Sequence, residues 1–304
     1  MDPNKFTLKS GQQVLAVPCL EVDAFAYGVA DETGAGLERF LDTFVGAFGK
    51  GLRFYRTGDM KRYRAIDAKA LDGPRHWFSD PGLLSSKMLA FVAHSGEQED
   101  DVRPPAIRMS LLGNWEEPRF VLRMMLPAAL GDSPEDVVAL VGDALSQFPL
   151  ATGHCGYSFV WEWTDPTVTE EVHEWAAPLL LRHPGLGYGD PISLSNAAQT
   201  GVVAVSWLTL LGAEALQLLG GLPALQAAAP AGVTVLPLGS TGAIVRAGDA
   251  PQAGDVNRRD PLPAYKTVGS LVEPARASDD ALDEVAIDGM PDEEIDDWLR
   301  RFFP

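Results

Sequence analysis

Residues 106–163 carry the clearest structural pattern in the chain, which reads AIRMSLLG (106–113), RFVLRMML (119–126), SPEDVVALVGDALSQF (133–148) and CGYSFVWEW (155–163). The first two segments are short and apolar, and the NWEEP between them is typical of a hairpin connection. In the third, Ser133 is placed to cap a helix, Pro134 suits its first position, and apolar residues recur at helical spacing. The fourth segment alternates as a strand does. This stretch predicts strand, strand, helix and strand.

Similar signals continue on both sides of this stretch. Helices are predicted at 37–48, 170–182 (where Pro178 kinks or shortens the helix) and 214–229, and strands at 87–94, 201–212, 232–238 and 242–248. Residues 251–274 are turn-rich and are expected to be irregular. The predicted fold class is therefore mixed α+β. We expect two related helix-plus-sheet lobes, residues 1–165 and 166–275, which form one compact unit, followed by an acidic linker and a terminal helix over 276–304.

Composition and charge restrict the class of protein. The chain has 304 residues, of which 46% are apolar, as in an ordinary globular protein. It carries 24 Lys and Arg against 42 Asp and Glu, a net charge of −18, which repels nucleic acid and suits a basic partner. Two cysteines are too few for a disulfide framework, and the longest apolar run is too short to span a membrane. We expect a cytoplasmic protein that contacts no membrane and no nucleic acid.

No motif for catalysis, a cofactor or a metal stands out. The chain lacks a P-loop and a G-x-S-x-G elbow. His154 and Cys155 are adjacent, so on a strand they would point to opposite faces and could not act as a base and nucleophile pair. Glu170, Glu171, His173 and Glu174 could place two metal ligands on one helical face, but a glutamate-rich helix is normally just solvated. We therefore expect no catalytic residue, no cofactor and no bound metal.

The C-terminal region has the densest charge in the sequence. Residues 279–297 contain ten acidic residues and no basic one. The chain then ends in an amphipathic helix whose apolar face, including Trp298 and Phe302, is expected to pack on the body of the protein. Two interpretations of the acidic block remain open. It is either a solvated segment that keeps the protein soluble or a surface that meets a basic partner.

Several short motifs in the C-terminal half together resemble one family. They are GYG (187–189), SWLTLLG (206–212), GGL (220–222), GDVNRR (254–259) and LPAY (262–265). In this order they resemble the type VI immunity family, whose members occur beside bacterial type VI secretion effectors. The resemblance extends over residues 15–275, is strongest over 185–275, and leaves the acidic tail outside. It implies a non-enzymatic cytoplasmic protein that binds and neutralises a cognate secreted toxin by stoichiometric inhibition, with nucleases among the toxins.

Two groups of candidate residues follow. The first comprises family-motif residues that we interpret as structural, with Asp255 and Asn257 capping backbone amides and the arginines paired with carboxylates; direct toxin contact is the alternative. These residues are Trp207, Gly254, Asp255, Asn257, Arg258, Arg259 and Tyr265. The second group comprises candidate toxin-binding acids in the terminal helix and in two loops. These residues are Asp292, Glu293, Glu294, Asp296, Asp297, Glu97, Glu99, Asp100, Asp101, Glu116 and Glu117.

Two other functions remain as alternatives. The chain could be a hydrolase that uses scattered carboxylates, which would require a concave pocket containing carboxylates of perturbed pKa. It could also be an adaptor or scaffold of the secretion apparatus that uses the terminal helix for docking. The identity of the partner, a secreted toxin or an apparatus subunit, would distinguish that role from immunity.

Overall fold

The strands of the protein form one long antiparallel sheet. The computed structural model describes residues 5–112, 118–187, 191–287 and 289–304. Within them the strands are β1 Leu8–Ser10, β2 Gln13–Tyr27, β3 Phe54–Thr57, β4 Arg64–Ala65, β5 Leu89–His94, β6 Ala106–Leu112, β7 Arg119–Pro127, β8 Thr152–Trp161, β9 Leu208–Leu211, β10 Val233–Leu238 and β11 Gly242–Ala247. The strand order is β10-β11-β9-β8-β2-β7-β6-β5-β3-β4, and β1 pairs with the start of β2.

Strand β2 lies at the centre of the sheet and holds its two halves together. Its 15 residues, QVLAVPCLEVDAFAY, are mostly apolar and buried on both faces. Consequently they show a long apolar run, interrupted at Glu21 and Asp23, rather than the regular alternation of a half-exposed strand. One side of β2 pairs with β7 and the other with β8. The sheet therefore brings residues from three distant parts of the sequence side by side.

Eleven helices in the described residues surround this sheet. They are α1 Thr33–Phe48, α2 Asp72–Phe78, α3 Pro81–Ser86, α4 Pro134–Ala144, α5 Pro166–Arg182, α6 Pro191–Ala198, α7 Ala213–Leu218, α8 Leu222–Ala228, α9 Pro263–Val272, α10 Asp279–Leu282 and α11 Asp292–Arg300. Helix α1 packs closely on the segment after α4, since a Cβ on Gly36 would lie only 2.7 Å from the Gln147 carbonyl oxygen. None of the helices in these segments has the length and apolar character needed to cross a membrane.

The mixed α+β fold class is confirmed, and so are most elements predicted from the sequence. The helix at 37–48, the helix after Ser133, the hairpin of β6 and β7 and the paired strands β10 and β11 all form. A single sheet passes through both predicted lobes, because β8 pairs with β2 on one side and with β9 on the other. The division into residues 1–165, 166–275 and 276–304 stays a prediction.

Four local predictions were wrong in detail. The helix expected over 214–229 is two helices, because Gly220 and Gly221 both have φ of +84°, a left-handed conformation that interrupts a helix. The strand expected over 201–212 is limited to β9. The irregular segment 251–274 contains α9. Ser133 precedes α4, but its side chain makes no capping hydrogen bond.

Helix α5 also differs from its prediction. It begins at Pro166, where the Asp165 carboxylate accepts hydrogen bonds from the amides of Thr167 and Val168 at 2.9 and 3.3 Å. It then continues through Pro178 to Arg182. The resulting 17-residue helix is about 25 Å long. At this length α5 borders one surface recess with its first residue, Pro166, and another with Leu180 and Leu181 in its last turn.

Candidate functional site

The acids of the terminal helix lie mainly on the protein surface. Asp292, Glu293, Glu294 and Asp297 are exposed on α11. Asp296 is partly exposed and accepts a hydrogen bond from Nε of Arg300 at 2.6 Å. Arg300 also lies 3.5 Å from Asp279 and 3.8 Å from Asp283, so it neutralises part of the acidic block. Four of the five predicted acids on α11 therefore remain available to a partner.

The apolar face of α11 packs on the body of the chain, as predicted. Ile295, Trp298, Leu299 and Phe302 are buried, and Phe303 is partly buried. Burial of this apolar face holds α11 in place on the protein, and therefore also holds the exposed acids on the opposite face of the helix in place.

Arg301 connects the end of α11 to the segment after α5. Its guanidinium donates to the carbonyl oxygens of Pro184 and Leu186 at 2.7 and 3.2 Å and lies 3.7 Å from the centre of the Trp298 ring. Burial lowers the pKa of Arg301 to about 9. These contacts hold the terminal helix against α5.

Helix α5 runs beside α11 and adds to its negative charge. A Cβ on Gly289, just before α11, would lie 3.1 Å from the backbone of His173 in the middle of α5. Further along both helices, Leu181 and Asp297 border the same groove. We call the exposed acids of these two helices the acidic face; its residues are Glu170, Glu171, Glu174, Asp292, Glu293, Glu294 and Asp297.

The predicted acidic loop lies at the other end of α5. Glu97, Glu99 and Asp100 are exposed, whereas Asp101 is partly buried and ion-paired with Arg103. Glu99 and Asp100 line a cleft of about 840 Å³ that also includes Pro166, the first residue of α5. The structure thus places two of the predicted acidic groups near opposite ends of one helix. The third predicted group, Glu116 and Glu117, lies outside the described residues.

Asp255 is the centre of the family motif and is held by α5. Nε and Nη2 of Arg182 donate to its two carboxylate oxygens at 3.2 and 2.9 Å, and the amide of Asn257 donates to Oδ1 at 3.0 Å. The hydrogen bonds from Arg182 lower the pKa of Asp255 to about 2. Asp255 therefore stays ionised and ties the turn that follows it to the end of α5.

The other motif residues divide between the core and the surface. Trp207 and Tyr265 are fully buried, and the Tyr265 hydroxyl accepts a hydrogen bond from the Gln252 amide at 3.0 Å. Gly254 has φ of +67°, and a Cβ there would meet the Leu262 side chain at 3.0 Å. On the surface lie Asn257, Arg258 and Arg259. Tyr188 and Gly189, which belong to the first quoted motif, lie outside the described residues.

A buried charge cluster that is not among the predicted site residues lies at the centre of the sheet. Asp23 of β2 is opposite Arg123 on β7 and opposite His154 on β8. Nε and Nη2 of Arg123 donate to the two Asp23 oxygens at 2.7 Å each, and its Nη1 lies 3.3 Å from Glu21. Nε2 of His154 is 3.6 Å from Asp23. None of these four residues is more than 6% exposed. The cluster therefore links three strands in the protein interior.

The chemistry of this cluster fits an ion-pair network. Ligand atoms of Glu21, Asp23 and His154 lie within 4.8 Å of one another, a donor set that a metal could use. However, the Arg123 guanidinium already engages both Asp23 oxygens and supplies the positive charge. Burial raises the pKa of Glu21 and lowers that of His154, so both side chains favour their neutral forms. The sequence signal for this cluster is a charged residue inside an apolar run, as at Glu21, Asp23 and Arg123.

Comparison with known proteins places this fold in a family. The family TsiV, described as type VI immunity for VRR-NUC, matches residues 36–302. This range includes the terminal helix, so the expectation that the acidic tail lies outside the family resemblance was wrong. A comparison with curated proteins found no significant match.

A solved structure has the same fold. It is the Pseudomonas aeruginosa T6SS protein PA0821, with a TM-score of 0.77 and 21% sequence identity. The alignment covers 98% of this chain and 85% of that one. At this identity the likeness establishes the architecture alone. Family membership comes from the match over residues 36–302, and the chain belongs to the TsiV family of type VI immunity proteins.

Proposed function

We propose that this immunity protein binds a cognate type VI toxin and inhibits it stoichiometrically, and that the toxin is a nuclease of the VRR-NUC type. The description of the family supports the class of toxin. The acidic face on α5 and α11 is the observation that supports direct binding. Its seven exposed acids lie on two helices that line a common groove, so they are carried by regular structure rather than by a free tail.

A negative surface suits the chemistry of a nuclease. An enzyme that holds a phosphate backbone has a basic substrate-binding surface, because nucleic-acid affinity depends on neutralising phosphate charge. An acidic protein surface can occupy that surface or lie beside it and repel the substrate. Long-range attraction between the two proteins would also accelerate their encounter. Rapid association favours an inhibitor that must act before nucleic acid is cut.

We infer that the protein works without turnover of its own. Within the described part of the chain, Glu21 is the carboxylate whose pKa burial raises, and it is enclosed within the sheet, 3.3 Å from Arg123. A hydrolase would need such a group at a concave surface that substrate can reach. The adaptor alternative has no comparable support, because the family description names immunity.

The test is an inhibition titration. Increasing amounts of purified immunity protein are added to a fixed concentration of its cognate nuclease, chosen well above the Kd of the complex. DNA cleavage is measured at each ratio. The cleavage rate should fall linearly with the molar ratio of immunity protein to toxin and reach zero at a ratio of one. Full cleavage at excess immunity protein, or inhibition that needs catalytic rather than equimolar amounts, would contradict stoichiometric binding.

Neutralising the four acids that α11 contributes to the acidic face should slow association with the toxin. The variant carries four substitutions: Asp292→Asn, Glu293→Gln, Glu294→Gln and Asp297→Asn. It leaves Asp296 paired with Arg300. We expect the on-rate at low salt to fall at least about tenfold, and the difference to shrink at physiological salt as ions screen the field. Surface plasmon resonance at the two salt concentrations would measure both effects.

A charge-matched variant provides the control. It replaces four exposed acids outside the acidic face by their amides: Asp31, Glu38, Asp72 and Glu214. Its net charge therefore changes by the same amount as that of the α11 variant. If only net charge matters, both variants will slow association equally. If neither changes the on-rate, the acidic block contributes to solubility, and the loop at Glu97–Asp101 becomes the next surface to test.

A further inference from the structure

We propose that an apolar groove at the C-terminal end of α5 is the anchor site for the toxin and takes an apolar side chain from a basic toxin surface. This inference rests on the proposed function and assigns the place of tightest contact. The groove has a volume of about 360 Å³. We call it the anchor groove, and the residues that define it here are Leu181, Val256, Pro261, Asp297, Trp298 and Phe302.

The anchor groove brings together apolar side chains that the fold leaves uncovered. Leu181 on α5 is 41% exposed, and Val256 on the segment after Asp255 is 51% exposed. These two residues come from distant parts of the sequence, yet they line the same recess. Trp298 of α11 and Phe302, just after that helix, line it too and are buried. Single exposed apolar residues are common on protein surfaces, but converging ones around a concavity are typical of a binding site.

Backbone conformation gives a second, independent indication. Among the described residues, the non-glycine residues with positive φ are Arg259 (+56°) and Leu262 (+47°), both in the segment that forms one wall of the anchor groove. L-residues adopt this conformation at an energetic cost, and such residues concentrate at ligand-binding sites, where the surrounding structure holds them. Here the pairing of Asp255 with Arg182 fixes the start of the segment.

The charges around the groove indicate its occupant. On the α11 side the rim carries Asp297, which continues into the acidic face. Both signs of charge surround its apolar floor, because the lining also includes Asp260, Arg259, Lys266 and Arg301. A protein–protein hot spot is typically an apolar anchor in a desolvated pocket, surrounded by contacts that exclude water. The exposed acids on the α11 side are the part of this surround that attracts a basic surface. The occupant that fits is an aliphatic or aromatic toxin side chain whose basic neighbours face α11.

The test compares two pairs of exposed apolar residues. Leu181→Ser with Val256→Ser removes apolar surface from the groove, and Met88→Ser with Leu218→Ser removes it from residues that are 74% and 66% exposed elsewhere. We expect the groove variant to raise the Kd for toxin at least about 30-fold, mainly through faster dissociation and with little dependence on salt. The control pair should bind as the unmodified protein does.

Thermal unfolding of each variant separates binding from folding. Should the groove pair lower the melting temperature, Val256→Ser alone, at the more exposed position, is measured instead, and a rise in its Kd is still expected. An unchanged Kd in a folded groove variant overturns the anchor site, while one-to-one inhibition by the unmodified protein preserves the proposed function. Absence of inhibition by the unmodified protein would overturn the proposed function and, with it, the anchor site.

Discussion

A chain that ends at Gly289 is expected to lose most or all of its stability. Removing residues 290–304 removes the buried side chains of Ile295, Trp298, Leu299 and Phe302. Burial of each large apolar side chain contributes about 1.5–3 kcal/mol. Together these contributions are comparable with the whole stability of a typical domain, about 5–15 kcal/mol. Circular dichroism during heating should show a greatly reduced melting temperature or no cooperative transition.

The truncation also exposes surfaces that α11 covers. The hydrogen bonds from Arg301 to Pro184 and Leu186 are lost, so the segment after α5 loses its support. The acid-neutralised variant of α11 is the control, because it changes the exposed face and keeps the apolar one; its melting temperature should stay close to that of the unmodified protein. A truncated chain that melts normally but no longer binds toxin would instead make the apolar face an interface.

Local patterns predicted those elements whose signals are contained in a few consecutive residues. Helix α4 has apolar residues at helical spacing, and α11 has a buried stripe beneath a row of acids, so both were predicted correctly. The hairpin of β6 and β7 followed from two apolar runs separated by a short polar one. The two-helix structure of 213–228 does not follow from composition, because a segment rich in Leu and Ala favours one continuous helix and only the left-handed conformation of Gly220 and Gly221 interrupts it.

Strand β2 shows why the centre of the protein could not be predicted in the same way. A strand buried on both faces lacks a regular alternation of polar and apolar side chains, and in β2 only Glu21 and Asp23 interrupt a long apolar run, which periodicity alone cannot assign to a strand or a helix. The charge cluster is harder still. Asp23 and Arg123 are 100 residues apart, and only the pairing of β2 with β7 makes them neighbours. Information about such a contact lies in the topology of the sheet rather than in any short motif.

The candidate site was predicted as separate pieces whose relation depends on the fold. The sequence marked the acids of α11 and those of the loop at 97–101, but gave no reason to connect them. Helix α5 borders the cleft at Glu99 with its first turn and the anchor groove with its last. A standard protein interface buries about 800 Å² on each partner, and a 25 Å helix crosses a patch of that size. Contact of these residues with the toxin stays a prediction.

The substitution Asp23→Asn should lower the free energy of unfolding by about 3–5 kcal/mol. The asparagine has nearly the same shape, so the change removes charge and leaves the packing intact. Arg123 then loses the carboxylate that accepts two hydrogen bonds at 2.7 Å in a position without solvent. Urea unfolding followed by tryptophan fluorescence would measure the loss. A change below about 1 kcal/mol would show that Arg123 does not depend on Asp23.

Glu21 determines how much of this loss is observed. Burial is the largest cause of its raised pKa, and the negative charge of Asp23 raises it further. Removing that charge favours ionisation of Glu21, whose carboxylate lies 3.3 Å from Nη1 of Arg123 and can replace part of the lost attraction. Adding Glu21→Gln to Asp23→Asn should therefore lower stability more than Asp23→Asn alone. Equal losses would mean that Glu21 stays protonated in the single variant.

Dependence on pH and an apolar replacement complete this test. The raised pKa of Glu21 means that the folded state retains a proton that the unfolded chain releases. The stability that Glu21 contributes is present below the ordinary glutamate pKa and is lost as pH rises through the raised value. Asp23→Asn should make the free energy of unfolding fall less steeply with pH over this range.

Replacing Asp23 and Arg123 together, by Asp23→Leu with Arg123→Met, should recover most of the stability that Asp23→Asn loses, because it leaves no buried guanidinium that needs a carboxylate. Recovery would indicate that the pair of Asp23 and Arg123 contributes little net stability compared with apolar side chains at the same positions.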